Sequence, residues 1–212
     1  MAMYARSNCL ALDGESLRGD APGRRTPWWP LIACVFGYLL VLAAWSAPGR
    51  VADDETAQPE QSIKSAFLYK FLAYVEWRAG TFAGPSAPIV IGVLGANDVA
   101  TELAAMAGGR KAGERPIEVR RVHLTDALDG VHMLFVGRDQ SARVAELAPA
   151  AQRRGVLLVT DYDGALDDGS AINLVVIANR VRFEVSLDAT ERSGLKLSSR
   201  LLAVALWVRP AQ

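Results

Sequence analysis

No cysteine occurs after Arg50; the only two in the chain are Cys9 and Cys34. The part beyond Arg50 therefore cannot close a disulfide, and thiolate chemistry and cysteine-based metal sites are excluded there. Histidine is equally scarce. His123 and His132 are the only two, and two imidazoles without cysteine make a poor zinc set. An excess of one charge sign is missing as well. Lys plus Arg and Asp plus Glu number 23 each, so the electrostatic footprint of a nucleic-acid-binding protein is absent. Neither a Gly-x-Ser-x-Gly elbow nor a His-Glu-x-x-His motif appears, and the acidic residues show no pair assignable to one cleft. The expectation is a protein that is not an enzyme, with no catalytic residues, no metal and no cofactor.

One long apolar run is present, Trp28–Ala47. Arg24 and Arg25 precede it and small residues close it, the parts of a secretory signal. Cleavage after Ser46 or near Gly49 is the expected outcome. A retained membrane anchor is the alternative, because the run approaches the ~20 residues that span a bilayer. On either reading the chain after Arg50 faces the extracytoplasmic side. The expected organisation is a leader over residues 1–49, a polar flexible tether over 50–61 and one domain over 62–210.

From Ser62 the pattern turns helical, with Ile63, Ala66, Phe67, Phe71, Tyr74 and Val75 on one face and a narrow polar stripe near Ser65, Tyr69, Ala73 and Glu76. Pro88–Leu94 is an apolar run of strand length, and Asn97 or Asp98 can cap a helix to about Gly108. Strands follow at Ile117–Val122, Val131–Val136 and Val156–Val159, with a helix over Ser141–Arg154 that ends at Gly155. Ala171–Ile177 and Val181–Leu187 flank Ala178-Asn179-Arg180 as a hairpin. Apolar strands alternating with helices imply a mainly parallel sheet covered on both faces. The expected fold is α/β, a single Rossmann-like three-layer domain whose sheet is closed by a C-terminal β-hairpin and helix.

The C-terminal stretch Arg182–Val208 interleaves caps with apolar positions. Asp188 stands three residues before Glu191, the spacing of a capping box. Gly194 is placed to end that short helix. Ser198 can cap a final helix, where Leu201, Leu202, Ala205 and Val208 recur at three and four residues. Elsewhere, Gly92-Val-Leu-Gly95 leaves a strand for a helix, where open α/β sheets bind phosphates, but the third glycine of the dinucleotide fingerprint is missing. The acidic loop Asp161–Gly169 departs from the calcium-loop order, because Ala165 takes the fifth place and Gly164 comes too early. His132 lies inside an apolar strand and reads as a hydrogen-bonded core histidine. Arg120, Arg121, Arg180 and Arg182 are the local basic candidates for a carboxylate or phosphate; ordinary solvated strand ends are the plainer reading.

Three stretches together resemble the YfiR-like family of periplasmic proteins. Ile63–Trp77, IKSAFLYKFLAYVEW, is similar to that family's opening helix, with Ser65, Lys70 and Arg78 departing from its usual alanine, asparagine and proline. Ile89–Gly95 looks like its first strand. RFEVSLDATERSGLKLSSRLLAVA is similar to its C-terminal signature. The resemblance covers Ile63 to Val208. It implies an exported α/β domain, often a homodimer and not an enzyme, that represses an inner-membrane diguanylate cyclase by binding its periplasmic sensor region and so lowers cyclic-di-GMP signalling and biofilm formation. The redox control associated with cysteine pairs in some members has no counterpart in this domain.

The expected partner surface is Arg182, Glu184, Leu195, Lys196 and Leu197, where outward polar groups alternate with apolar ones. The alternative function is a small-ligand-binding module for another membrane sensor, using Gly92, Gly95, Asn97, Arg120 and Arg121.

Overall fold

The computed structural model describes residues 60–211 apart from 124, 125 and 127. They belong to one unit, Thr56–Gln212. The expected leader, its cleavage or anchoring, and all of the tether up to residue 59 lie outside the described residues. Glu60 and Gln61, expected in the tether, are already helical.

Three short apolar runs make the centre of the sheet. In β2 (Ile89–Leu94), β5 (Met133–Val136) and β6 (Leu157–Thr160) every residue is buried. Such runs have no solvent face and demand layers on both sides. β4 (Arg115–Arg121) and β7 (Ile172–Ile177) flank this centre in parallel. β7 then turns back into β8 (Arg180–Ser186), which runs antiparallel to it. Ala178 and Asn179 make the two-residue turn with φ of 48° and 59°, the left-handed pair that a tight hairpin requires. The edges are β3 (Lys111–Ala112), paired with β4, and β10 (Trp207–Arg209), paired in parallel with β8. The eight-stranded order is β10-β8-β7-β6-β5-β2-β4-β3.

Alternation sorts the side chains between two layers. Ile91, Val93, Met133, Phe135, Leu157, Val159, Leu174, Phe183 and Val185 share one core with Leu68 and Phe71 of α1 (Glu60–Phe71) and Val99 and Leu103 of α2 (Asn97–Ala107). Leu134, Val136 and Leu158 face the other way onto Val144, Ala148 and Ala151 of α3 (Val144–Arg154), which a 3-10 turn over Arg138–Arg143 precedes. The mainly parallel three-layer α/β architecture is thus the expected one.

The ends of elements differ from the expectation in ways that have physical reasons. α1 stops at Phe71; β1 (Val75–Glu76) then pairs with β9 (Lys196–Leu197) as a separate ribbon. The polar stripe of α1 is not at Ser65, which is buried and donates to the Val99 carbonyl at 3.1 Å. The cap of α4 (Leu187–Arg192) is Ser186, whose hydroxyl accepts from the Ala189 N–H; Asp188 instead pairs with Arg192. No side chain caps α2, which starts after Ala96, so neither Asn97 nor Asp98 has that role. Gly194 does end α4, with φ of 63° and the paired bonds Gly194 N–H to Glu191 and Leu195 N–H to Thr190, a complete Schellman motif. Ser198 caps α5 as expected, but α5 (Ser199–Leu202) is a single turn. The Leu206 N–H donates to the Phe183 carbonyl at 2.8 Å, and the chain continues as β10 rather than as a helix to Val208. Pairing with β8 satisfies backbone groups that a four-residue helix leaves open.

His132 is buried beside the core, as the sequence implies. The Val90 N–H donates to its Nδ1 at 3.1 Å, and its ring stacks on Phe82 with centroids 4.6 Å apart. Arg115 covers Phe82 at 3.9 Å from the ring centroid. Burial, and then the nearby charges of Arg115 and Arg120, hold His132 below its ordinary value of 6.5, while a hydrogen bond with the Thr81 backbone opposes them. The neutral form is therefore the one the fold accepts. Its contribution to stability is complete above about pH 6.5 and is lost as pH falls through the depressed folded value. Melting temperature should drop between pH 7.5 and 5.5, and His132→Gln should flatten that slope; parallel slopes in the two proteins would contradict this assignment.

Candidate functional site

β2 and β5 lie side by side, yet the chain leaves them in opposite directions, to β4 through α2 and to β6 through α3. Such a switch point opens a crevice at the carboxyl ends of the strands. Gly95, with φ of 69°, turns the chain from β2 towards α2. Gly137 follows β5 so closely against it that a Cβ there would stand 2.7 Å from the Gly95 carbonyl oxygen. The first turn of α1 closes a third side. The resulting cavity has a volume of about 620 Å³.

Four charges knit this crevice together. Lys64 is only 4% exposed and its ammonium lies between the carboxylates of Glu60 and Asp161. Arg138 reaches Glu60 at 3.0 Å and Asp161 at 3.5 Å. Hydrogen bonding from Lys64 holds the Glu60 carboxyl below its usual value, against a smaller opposing effect of burial. Asp161 is 7% exposed, and its Oδ1 has no hydrogen-bond partner among the described residues. Glu60, Arg138 and Asp161 also line an adjoining cavity of about 480 Å³ together with Tyr162, Val175 and Val176. Burial, then the hydrogen bond from Tyr162 to Asp168 at 2.8 Å, pushes the Tyr162 phenol well above its ordinary value.

Val175 leads to a second surface. α3 covers β5 and β6 but not the hairpin end of β7 and β8. Cross-strand partners share a face, so Ile177 beside Arg180, Val175 beside Arg182 and Trp207 beside Glu184 form one strip. That strip points away from Phe183, which is buried against Phe67 and Phe71. Ile177 is 49% exposed and Trp207 48%. Arg209 stands over the Trp207 ring at 5.2 Å.

The residues singled out from the sequence do not form two sites as expected. Arg182 and Glu184 lie in the strip. Leu195 is 3% exposed inside the α1/α2 core, so it cannot meet a partner. Lys196 and Leu197 belong to the ribbon, opposite Glu76 and Val75. Gly95 and Asn97 line the crevice. Gly92 is interior; a Cβ there would meet Val122 at 2.9 Å, so its role is packing. Arg120 and Arg121 end β4 outside the crevice lining, engaged with Glu118 and Thr101. Sequence reading passed over Lys64, Glu60, Arg138 and Asp161 as a group, and Trp207. A lysine on the inward face of a largely apolar helix was the available signal for the first group.

The model of the YfiR/HmsC-like family matches residues 61–206. The chain belongs to this family. Its YfiR-like members are periplasmic regulators of diguanylate cyclase signalling rather than enzymes. Among solved structures, a conserved domain protein from Vibrio cholerae O1 biovar El Tor strain N16961 aligns with 10% identity and a TM-score of 0.48, over 71% of this chain and 60% of that one. The ABC domain in complex with L-Trp from Streptococcus pneumoniae aligns with 10% identity and a TM-score of 0.43, over 57% of this chain and 55% of that one.

The charge cluster of this YfiR-like domain makes a sharp energetic prediction. Removing one member of a buried ion pair leaves the other charge without compensation, at a cost of about 3–5 kcal/mol. Lys64→Met should destabilise the domain on that scale in chemical denaturation. Adding Asp161→Asn should restore part of the loss, and strict additivity of the two changes would show that the pair is not coupled.

Proposed function

We propose that this protein acts in the periplasm as a repressor of an inner-membrane diguanylate cyclase, and that it docks on the cyclase's periplasmic region through the hairpin strip. Family membership supports the regulatory class. The observation that carries the docking surface is the strip itself: Ile177, Arg180, Arg182 and Trp207 stand exposed on a sheet face that the α3 layer leaves bare. Tryptophan and arginine are the residues in which interface energy concentrates, because both offer large contact area and directional donors. Glu184 beside Trp207 gives the strip an acidic member and hence a polarity that can select the partner's register.

Lys196 and Leu197 have a different part in this reading. Their strand pins the exit of α1 through the ribbon, and the Ser198 N–H donates to the Tyr74 carbonyl at 2.9 Å. The homodimer implied by the family resemblance is compatible with the strip only if the second copy leaves it uncovered.

Trp207→Ala, Ile177→Ser and Arg182→Ala should each keep folding stability within about 0.5 kcal/mol, as exposed substitutions do. Each should nevertheless weaken binding to the cyclase's periplasmic region by about tenfold or more and raise cyclic-di-GMP in cells. Lys196→Ala should change neither. Strip variants that melt and repress like the unchanged protein would remove the strip from this role.

A further inference from the structure

We propose that residues 77–88 form a strap that protonation of His132 releases from the amino ends of β2 and β5. This segment joins β1 to β2 and contains neither helix nor strand. Its own backbone bonds are turns, from the Thr81 N–H to Arg78 and from the Ala87 N–H to Gly84. Side chains from elsewhere hold it down. Arg115 of β4 donates to the Gly84 carbonyl at 2.7 Å and to the Ala87 carbonyl at 3.0 Å. The same guanidinium covers Phe82, and the His132 ring stacks on Phe82 with an interplanar angle of 13°. Trp77 meets Phe82 edge-on at 5.9 Å and donates to the His132 carbonyl at 3.4 Å. Trp77 and Phe82 border a groove of about 570 Å³, which the buried Leu72, Val75 and Ile89 also line.

His132 is the one of these ties that a proton can undo. Its backbone N–H donates to the Val90 carbonyl at 2.9 Å, and the Val90 N–H donates to its Nδ1 at 3.1 Å. β5 begins one residue later, at Met133, so the ring serves that N–H where a ladder carbonyl otherwise would. An Nδ1 that accepts from an N–H carries no proton. Adding one sets two donors against each other and leaves the buried Val90 N–H without an acceptor, which is costly. The surrounding charge offers no compensation. Arg115 and Arg120 act on the ring from β4, and both are positive. Glu118 of that strand is engaged by Arg120, and Asp129, ahead of β5, by Arg154. Glu114 is the one carboxylate of the groove lining, to which His132 does not belong. β2, β5 and β6 carry no charged residue, and residues 77–88 carry only Arg78. A protonated ring is better solvated outside this site, and when it leaves, Phe82 loses its stack and the strap loses a tie.

The test follows the purified full chain from about pH 7.5 to about pH 5 by amide hydrogen exchange, with protection factors corrected for the intrinsic pH dependence of exchange. Local opening is what such protection reports. Protection of the Val90 amide and of residues 77–88 should fall below about pH 6.5, by up to about tenfold per pH unit for release coupled to one proton. Amides of α3, on the other layer, should hold. The ring signals of the two histidines, followed by NMR in the same samples, should show the loss tracking His132 and not His123. In His132→Gln the pH dependence of this protection should vanish; if that variant does not fold, the match between ring titration and exchange in the unchanged chain decides. Strap protection that is constant over this range, that falls together with α3, that tracks His123, or that falls equally in His132→Gln would each overturn the proposal.

Discussion

The packing of Phe183 against α1 fixes what this domain shows to the outside. Its ring meets Phe67 at 5.8 Å and Phe71 at 5.2 Å, both edge to face. Aromatic pairs in this geometry add to the burial of their area. Because a strand alternates with a period of two, locking Phe183 inward also locks Val181 and Val185 inward and turns Arg180, Arg182 and Glu184 outward. A slip by one residue would bury arginines beneath α1. The outward strip is therefore a consequence of the core and cannot be rearranged without unfolding it. The free edge at β10 inherits the same register through Trp207 and Glu184.

The charge cluster and the strip are not remote from one another. β6 ends at Thr160, Asp161 follows, and β7 returns alongside, so Asp161 and Val175 share a cavity wall. Lys64 ties α1 to that corner, and α1 carries the phenylalanines that hold β8. A change of charge at Asp161 thus acts on the helix that sets the outward register. This chain of packed elements links the charge cluster to the strip through α1 and β8.

How much of this was legible beforehand depended on whether the determining contact was local. The buried strands β2, β5 and β6 were plain from their apolar runs, and the hairpin, Gly194 and Ser198 from short-range turn and cap chemistry. Asp188 was misassigned because Ser186, two residues earlier, offered an equally good acceptor at the point where β8 ends. Leu201, Leu202, Ala205 and Val208 have helical spacing, but the free edge of β8 captured the chain after one turn. Leu195 looked like a surface residue because its neighbours are polar, whereas the Schellman turn folds it inward. The cluster of Lys64 and Asp161 joins positions 97 apart, and no local pattern announces such a meeting. The family resemblance, in contrast, rested on phrases spread from Ile63 to Val208 and survived these local errors.

The central claim is that the β7–β8–β10 strip is the surface that meets the membrane partner. Photo-crosslinking in living cells tests it most directly, with a photoreactive amino acid placed in turn at positions 177, 207 and 196. The account predicts a crosslink to a membrane-bound diguanylate cyclase from positions 177 and 207 and none from 196. A cyclase crosslink confined to position 196, on the β1–β9 ribbon, would contradict it.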